Sequence, residues 1–179
     1  MSKFIALLRG INVSGQKKIK MAEFKVHLEN AGLQDVQTYI QSGNIVFSST
    51  EKDADKLARK IEQTIQNIYD FHVPTLVLKR DYLTWVLENN PFQNDPDIEI
   101  KKIGFAFLYA IPVQENIDKL MSYNYPDEKV VLKKGITYLY YGNGAGKAKT
   151  HNNFIENKLK VTASSRNYNT VFKLIEMSK

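Results

Sequence analysis

Two arginines stand in short segments rich in glycine, asparagine and serine, and they are the side chains best suited to hold an anion. Arg9 opens the segment Arg9–Gly15, and Arg166 lies within Ser164–Asn169. Lysine supplies most of the 25 basic residues, since the only arginines are Arg9, Arg59, Arg80 and Arg166. Arginine offers a planar fork that matches carboxylate or phosphate, whereas lysine is a mobile point charge. The two segments therefore predict contacts with a phosphate or carboxylate.

Two further polar segments, Gln41–Asn44 and Gly142–Lys149, also contain glycine. Gly142–Lys149 and Ser164–Asn169 each lead into a predicted helix, whose free N–H groups and positive dipole end favour an anion. Thr150, and either Asn167 or Asn169, are predicted to cap these helices. The predicted ligand-binding residues are Arg9, Asn12, Ser42, Gly43, Asn44, Lys147, Arg166, Asn167 and Asn169.

The Gly142–Lys149 loop departs from the phosphate-loop pattern at two positions. Tyr141 stands where the first glycine is needed, and Ala148 replaces the Ser or Thr that binds magnesium. An ordinary flexible turn is therefore favoured. Non-specific phosphate contacts through Lys147 and Lys149 stay open.

No arrangement of side chains indicates catalysis, a metal site or a cofactor. The chain has no cysteine, and its three histidines lack the spacing of metal ligands. No serine has a histidine and an acid identifiable beside it. The acids Asp95, Asp97 and Glu99 could surround a cation, but a solvated linker is the preferred interpretation. A protein without enzymatic activity is therefore favoured.

The composition is that of an ordinary globular protein, with 43% hydrophobic and 25% charged residues. The net charge of +6 indicates either an anionic partner, including nucleic acid, or lysine used as general surface charge. The second interpretation is favoured. The apolar run Phe4–Leu8 ends at Arg9, too early for a signal peptide or a membrane span. We therefore expect no membrane association, and the absence of cysteine agrees with the reducing cytoplasm that we expect for this protein.

Hydrophobic periodicity predicts a βαββαβ order in the first half of the chain. Phe4–Leu8 is apolar throughout, as in a central buried strand, and Pro74 near the start of Val73–Leu78 indicates an edge strand. The other predicted elements are a helix with Met21, Phe24, Leu28 and Ala31, a hairpin of Val36–Ile40 and Ile45–Ser48, and a helix that begins at Asp53.

The same order begins again after a short helix near Asp81 and a linker with Pro91 and Pro96. The predicted elements are strand Ile103–Ala110, helix Gln114–Met121, strands Lys129–Leu132 and Ile136–Tyr141, a helix near Thr150, strand Val161–Ala163 and a closing helix with Val171 to Ile175. The predicted fold is α+β, a tandem duplication of a ferredoxin-like βαββαβ unit with mainly antiparallel sheets and an extra C-terminal helix. Residues 1–80 form the first half, 81–100 a helix and linker, and 101–179 the second half.

This topology predicts which loops lie together. In each unit the first and third strands are antiparallel neighbours, so the end of one lies beside the start of the other. The Arg9–Gly15 loop should therefore lie next to Ser42–Asn44. In the second half, Gly142–Lys149 and Ser164–Asn169 should share one edge of the sheet.

Alternating aromatic residues on two strands of the second half allow a different function. Phe105, Phe107 and Tyr109 share one face of a strand, and Tyr138 and Tyr140 share one face of another. RNA-recognition domains stack bases on such rings. Neither strand has the glycine–aromatic signature of those domains, so a covered sheet face is favoured.

Three motifs resemble the bacterial domain-of-unknown-function family 1697. They are F-I-A-L-L-R-G-I-N-V at Phe4–Val13, T-Y-I-Q-S-G-N-I-V-F at Thr38–Phe47 and S-R-N-Y-N-T-V-F-K-L at Ser165–Leu174. The family usually reads G-x-G-R-S-K where this chain has Gly144–Lys149, so Lys147 replaces an arginine and Ala148 a serine. The resemblance implies a two-part α+β fold in a bacterial cytoplasmic protein, and it implies no reaction.

The preferred function is non-enzymatic binding of a small anionic ligand, such as a nucleotide or a phosphorylated metabolite. A nucleic-acid-binding module is one alternative. An enzyme acting on a phosphate- or carboxylate-bearing substrate is another. The Gly and Asn positions also have a structural explanation, since glycine holds turns and asparagine ties or caps them.

Overall fold

The computed structural model describes all residues 1–179, and the chain divides into two compact units. The first unit comprises residues 1–84 and 173–179, and the second comprises residues 85–172. Each unit contains one four-stranded antiparallel sheet. The sequence-based boundaries at 1–80, 81–100 and 101–179 stay a prediction of where the duplicated halves begin and end.

The first unit has the predicted βαββαβ order. Its elements are β1 (Ser2–Leu8), α1 (Met21–Asn30), β2 (Gln34–Tyr39), β3 (Asn44–Ser49), α2 (Ala54–Tyr69) and β4 (Thr75–Leu78), followed by the start of α3 (Arg80–Glu88). The strand order is β2-β3-β1-β4, so β1 is central and β4 lies at an edge. Both positions are as predicted, because an apolar run suits a central strand and Pro74 suits an edge.

The second unit repeats this order. Its elements are β5 (Ile103–Leu108), α4 (Gln114–Met121), β6 (Glu128–Lys133), β7 (Ile136–Tyr141), α5 (Asn152–Leu159) and β8 (Ala163–Asn167), followed by α6 (Tyr168–Met177). The strand order β6-β7-β5-β8 matches that of the first sheet. The fold is therefore α+β, with the predicted tandem pattern and an extra C-terminal helix.

Apolar residues at helical spacing form much of the core of each unit, and a capping side chain fixes the start of α2. In α2 the residues Leu57, Ile61 and Ile65 recur at helical spacing and are buried. The Asp53 side chain accepts hydrogen bonds from the N–H groups of Asp55 and Lys56, so it caps this helix as predicted. The core of the second unit includes Ala106, Leu120, Leu139, Ile155 and Leu159.

The aromatic residues of the second sheet are mostly internal. Phe105, Phe107 and Tyr138 are fully buried, and Phe105 packs edge-on against Tyr138 with 5.7 Å between ring centroids. These three buried rings cannot stack on bases, in agreement with the interpretation of a covered sheet face. Tyr109 and Tyr140 are half-buried, and a nucleic-acid-binding module stays a prediction.

The end of the chain differs from the prediction in two details. The last strand is β8, whereas we expected a strand at Val161–Ala163 followed by a loop around Arg166. Ser164 to Asn167 pair with β5 at an edge of the sheet, where polar side chains are tolerated. The cap of α5 is His151, whose Nδ1 accepts from the Phe154 N–H, and not the predicted Thr150.

Two of the three acids of the predicted linker, Asp95 and Glu99, are paired with lysines. Asp95 contacts Lys129 at 2.8 Å, and Glu99 contacts Lys102 at 2.6 Å. No group of three His, Cys, Asp or Glu side chains in the chain is arranged to hold a metal ion. No helix combines the length and apolar character needed to span a membrane.

Candidate anion-binding site

The loops around Arg9 and Gly43 are neighbours, as the topology predicts. The Leu8 N–H donates to the Gly43 carbonyl at 2.8 Å, and the Arg9 N–H donates to the Pro74 carbonyl at 2.9 Å. The end of β1 is thereby tied to the starts of both adjacent strands. Arg9 is half-buried at this edge of the first sheet.

The Asn12 side chain ties three parts of this edge together. Its Nδ2 donates to the carbonyls of Ile19 at 2.9 Å and Gln41 at 2.8 Å. Its Oδ1 accepts from the Ile19 N–H at 2.9 Å. These bonds use the oxygen and both N–H groups of the amide, so Asn12 acts as a brace within the protein.

Gly43 and Asn44 also have structural functions. Gly43 has a φ of +80°, and a Cβ there would lie 2.6 Å from Leu8 Cβ. Asn44 is fully buried, and its Nδ2 donates to the Tyr39 carbonyl at 3.0 Å and to Ser42 Oγ at 2.9 Å. The predicted residues at this edge are therefore brought together. The contacts of Asn12, Gly43 and Asn44 maintain the hairpin.

Arg166 lines a cavity of about 240 Å³ in the second unit. Arg166 is only 9% exposed, and it lies on β8 opposite Phe105 of β5. Its Nη1 donates to the Ser165 carbonyl at 2.8 Å, which helps to fix the guanidinium. The residues that line the cavity are Lys101, Ile103, Gly104, Tyr141, Ala145, Ser165, Arg166 and Asn167.

The start of α6 adjoins this cavity through Asn167. The Asn167 Oδ1 accepts from the Thr170 N–H at 2.8 Å, so it caps the helix as one of the two predicted alternatives. Asn169 lies exposed in the first turn of α6 and does not line the cavity. The positive end of a ten-residue helix is thus close to the Arg166 cation.

Tyr141 supplies a polar atom that sequence reasoning missed. It is 7% exposed and lines the cavity, and no protein group forms a hydrogen bond with its hydroxyl. Its ring lies over Gly104, where a Cβ would be 2.7 Å from Tyr141 Cε2. Burial, with a smaller effect from Glu128, raises the pKa of the Tyr141 hydroxyl far above its usual value. The phenol therefore stays protonated and can donate to an anion.

Lys101 and Gly104 are also new members of the site. A glycine inside a strand signals close approach by another group, so Gly104 was a detectable sign that a side chain lies over β5. Lys101 carried no such sign, because it is one lysine among many. Ile103 and Ala145 add an apolar wall.

Lys147 belongs to a different place. It lines a smaller cavity of about 100 Å³ with Tyr125, Asp127, Glu128 and Lys149, among others. The Glu128 carboxylate accepts from the N–H groups of Lys149 at 2.8 Å and Thr150 at 2.9 Å, and also from the Thr150 hydroxyl. The protein's own carboxylate thus uses the N–H groups that a bound phosphate would need, in agreement with the interpretation of this loop as an ordinary turn.

Fold and site together define a duplicated, ferredoxin-like α+β protein with a small cationic cavity in its second unit. The chain belongs to the family described as "Protein of unknown function (DUF1697)", whose model matches residues 1–138. The motif around Arg166 lies beyond the matched residues. This match confirms the family that the Arg9 and Ser42–Asn44 motifs indicated.

A solved structure resembles the whole chain. The conserved bacterial protein SP0830 from Streptococcus pneumoniae is similar, with a TM-score of 0.75 and 27% sequence identity over 99% of each chain. No curated protein matches the sequence. These comparisons support the fold and name no activity.

Proposed function

We propose that this is a cytoplasmic, non-enzymatic protein that binds a small anionic metabolite in the Arg166 cavity. The observation that supports this proposal is the position of the Tyr141 hydroxyl. The Tyr141 residue is 7% exposed, its hydroxyl has no hydrogen-bond partner in the protein, and the residue shares a cavity with Arg166 and Lys101. A hydroxyl that lines a cavity and has no protein partner donates to water or to a bound oxygen acceptor, and an anionic ligand would take the place of that water.

The charges of the cavity select the kind of ligand. Arg166 stays cationic at any physiological pH, and its low exposure strengthens its attraction for an anion. Lys101 adds a second cation at the rim, although it also contacts Glu99 at 3.0 Å. Arg166, the start of α6 and the Tyr141 hydroxyl all favour an oxygen acceptor with negative charge.

The size of the cavity limits the ligand. Pockets for drug-sized molecules usually enclose about 300–1,000 Å³, and this cavity of about 240 Å³ lies below that range. A small phosphorylated metabolite therefore fits better than a whole nucleotide. Ile103 and Ala145 would contact its carbon skeleton.

Binding is favoured over catalysis because of the protonation state of Tyr141. A phenol whose pKa is raised by burial donates a hydrogen bond near neutral pH and does not accept a proton as a base. The neighbouring Ser165 is not activated either, since its hydroxyl donates to Asn152 Oδ1 at 2.7 Å. The cavity thus combines electrostatic attraction with a directional donor.

The test is calorimetric titration of the wild type with small phosphate monoesters, inorganic phosphate and small carboxylates. Tyr141→Phe removes one hydroxyl and keeps the ring over Gly104. A hydrogen bond to a charged group is worth about 1.5–3 kcal/mol, so we expect Kd to rise about 10- to 100-fold. Arg166→Gln should abolish binding.

Lys119→Gln is the matched control, since Lys119 is an exposed lysine of α4 paired with Glu115. Thermal unfolding of each variant shows whether it is folded. Unchanged affinity in folded Tyr141→Phe and Arg166→Gln variants would refute the site. Failure of every anion in the panel to bind or to raise the Tm would refute the ligand class.

A further inference from the structure

A cluster of rings and lysines lies on the second unit, apart from the residues that line the Arg166 cavity. We call it the aromatic–lysine surface, and its members are Tyr123, Tyr125, Phe154, Lys147, Lys149 and Lys158. Tyr123 is 43% exposed, and Tyr125 and Phe154 are half-buried. None of these rings belongs to the buried aromatic set of the sheet.

The three rings contact one another. Tyr123 stacks on Tyr125 with 6.1 Å between centroids and 14° between planes. Phe154 packs edge-on against both, at 5.5 Å from Tyr123 and 5.8 Å from Tyr125. Such contacts hold the rings in fixed orientations without burying them fully.

Lysines lie over the rings. Lys158 Nζ is 4.2 Å from the centroid of Tyr123, and it also donates to the Tyr123 hydroxyl. Lys149 Nζ is 5.5 Å from the centroid of Tyr125. Lys147 is exposed beside Tyr125 in the cavity of about 100 Å³. Cations and aromatic faces therefore alternate over a short distance.

Local structure positions these groups. Phe154 and Lys158 are four residues apart on α5, so they share one face of the helix. The Lys149 backbone is held by Glu128, and Asn143 Nδ2 donates to Asp127 Oδ2 at 2.9 Å. Both acids near the surface thus accept hydrogen bonds from the loop that carries Lys147 and Lys149, which partly offsets their repulsion of a bound phosphate.

We propose that the aromatic–lysine surface binds single-stranded nucleic acid. Every base has a flat face that can stack on an aromatic ring, and each nucleotide adds a phosphate for a lysine. Stacking of a base on a ring is worth more than an exposed contact between a ring and an ammonium group. A base can therefore displace Lys149 or Lys158 from its ring, and the released ammonium can pair with the adjacent phosphate.

Other partners fit these groups less well. An acidic peptide would pair with the lysines and leave the rings unused. In a duplex the flat faces of the bases are already stacked inside. The surface is also separate from the Arg166 cavity, so this proposal does not depend on the proposed function.

The test is fluorescence anisotropy with labelled single strands of RNA and DNA of about 12 nucleotides, within the usual range of about 4–16 per site. Three lysines predict a slope of log K against log salt of about −2, from about −0.7 per phosphate contact. The double change Tyr123→Leu and Tyr125→Leu keeps apolar packing and removes both stacking faces. We expect it to weaken binding about tenfold or more.

Single changes separate the contribution of each lysine from effects of charge or ring loss elsewhere on the protein. Lys149→Gln and Lys158→Gln should each make the slope of log K against log salt less negative by about 0.7. Phe172→Leu, which changes another exposed ring, and Lys119→Gln should leave binding unchanged. Equal affinity for the duplex, equal competition by polyglutamate, or full binding by the double tyrosine variant would overturn the proposal. Absence of binding at low salt would do the same.

Discussion

Gly43 and Gly10 offer a matched pair for asking whether the glycines around Arg9 are structural. Both have positive φ, +80° at Gly43 and +71° at Gly10. A Cβ at Gly43 would lie 2.6 Å from Leu8 Cβ and 2.9 Å from Ile11 Cδ1, whereas a Cβ at Gly10 would meet nothing within 4 Å. Alanine at the two positions therefore differs in packing and not in backbone conformation.

The expected costs follow from these contacts. Alanine in the left-handed region costs about 1–2 kcal/mol at either position. Gly43→Ala adds overpacking against two buried side chains, which typically costs about 1–3 kcal/mol more. We therefore expect the free energy of unfolding to fall by about 2–5 kcal/mol for Gly43→Ala and by about 1–2 kcal/mol for Gly10→Ala.

Urea unfolding followed by circular dichroism measures both changes, and equal m-values would show that the comparison concerns stability. The ordering of the two variants is the decisive result. If Gly10→Ala lost as much stability as Gly43→Ala, the close approach of Gly43 to Leu8 would not control this turn. If a stable Gly10→Ala variant lost anion binding, the loop at Arg9 and not the Arg166 cavity would hold the anion.

Two further changes test the side chains that form hydrogen bonds with the backbone of a loop. Asn12→Ala should lower the free energy of unfolding by about 2–4 kcal/mol, because three backbone groups lose their partners; urea unfolding measures this, and a loss under 1 kcal/mol would contradict the bracing role. At Glu128, burial raises the pKa, but hydrogen bonds from Thr150 and Lys149 outweigh burial and leave the pKa below its usual value. A lowered pKa stabilises the fold above the unfolded-state pKa of about 4.3, and this stabilisation is lost as the pH falls through the lower folded-state value. The Tm of the wild type should therefore fall in acid more steeply than that of Glu128→Gln, and parallel curves would show that Glu128 does not restrain the loop.

Most elements of the fold could be predicted because they depend on local pattern. The apolar run at β1, the stripe of α2 and the Asp53 cap each follow from the order of residue types. The hairpin at Lys134-Gly135 follows in the same way, and both residues have positive φ. Element order then determines which loops share an edge, so the proximity of Arg9 to Gly43 was also predictable.

Two local features of the second unit were predicted wrongly. Ser164 to Asn167 have little β propensity, and only pairing with β5 makes them a strand. Thr150 is a good cap by type, but the Glu128 carboxylate engages its hydroxyl and leaves the cap to His151. In both cases a contact with a distant part of the chain outweighed the local preference.

The sequence by itself determined that this chain forms two ferredoxin-like units and that polar loops gather at the ends of their strands. Only the tertiary structure decided which of those polar groups serve the protein and which face a cavity. Asn12 and Asn44 resemble ligand-binding residues in sequence, yet their amides hold the backbone. The cavity instead depends on the register of β5, β7 and β8, which places Tyr141 over Gly104 and beside Arg166. Composition and periodicity determine where a strand lies, but side-chain packing determines what each residue contacts.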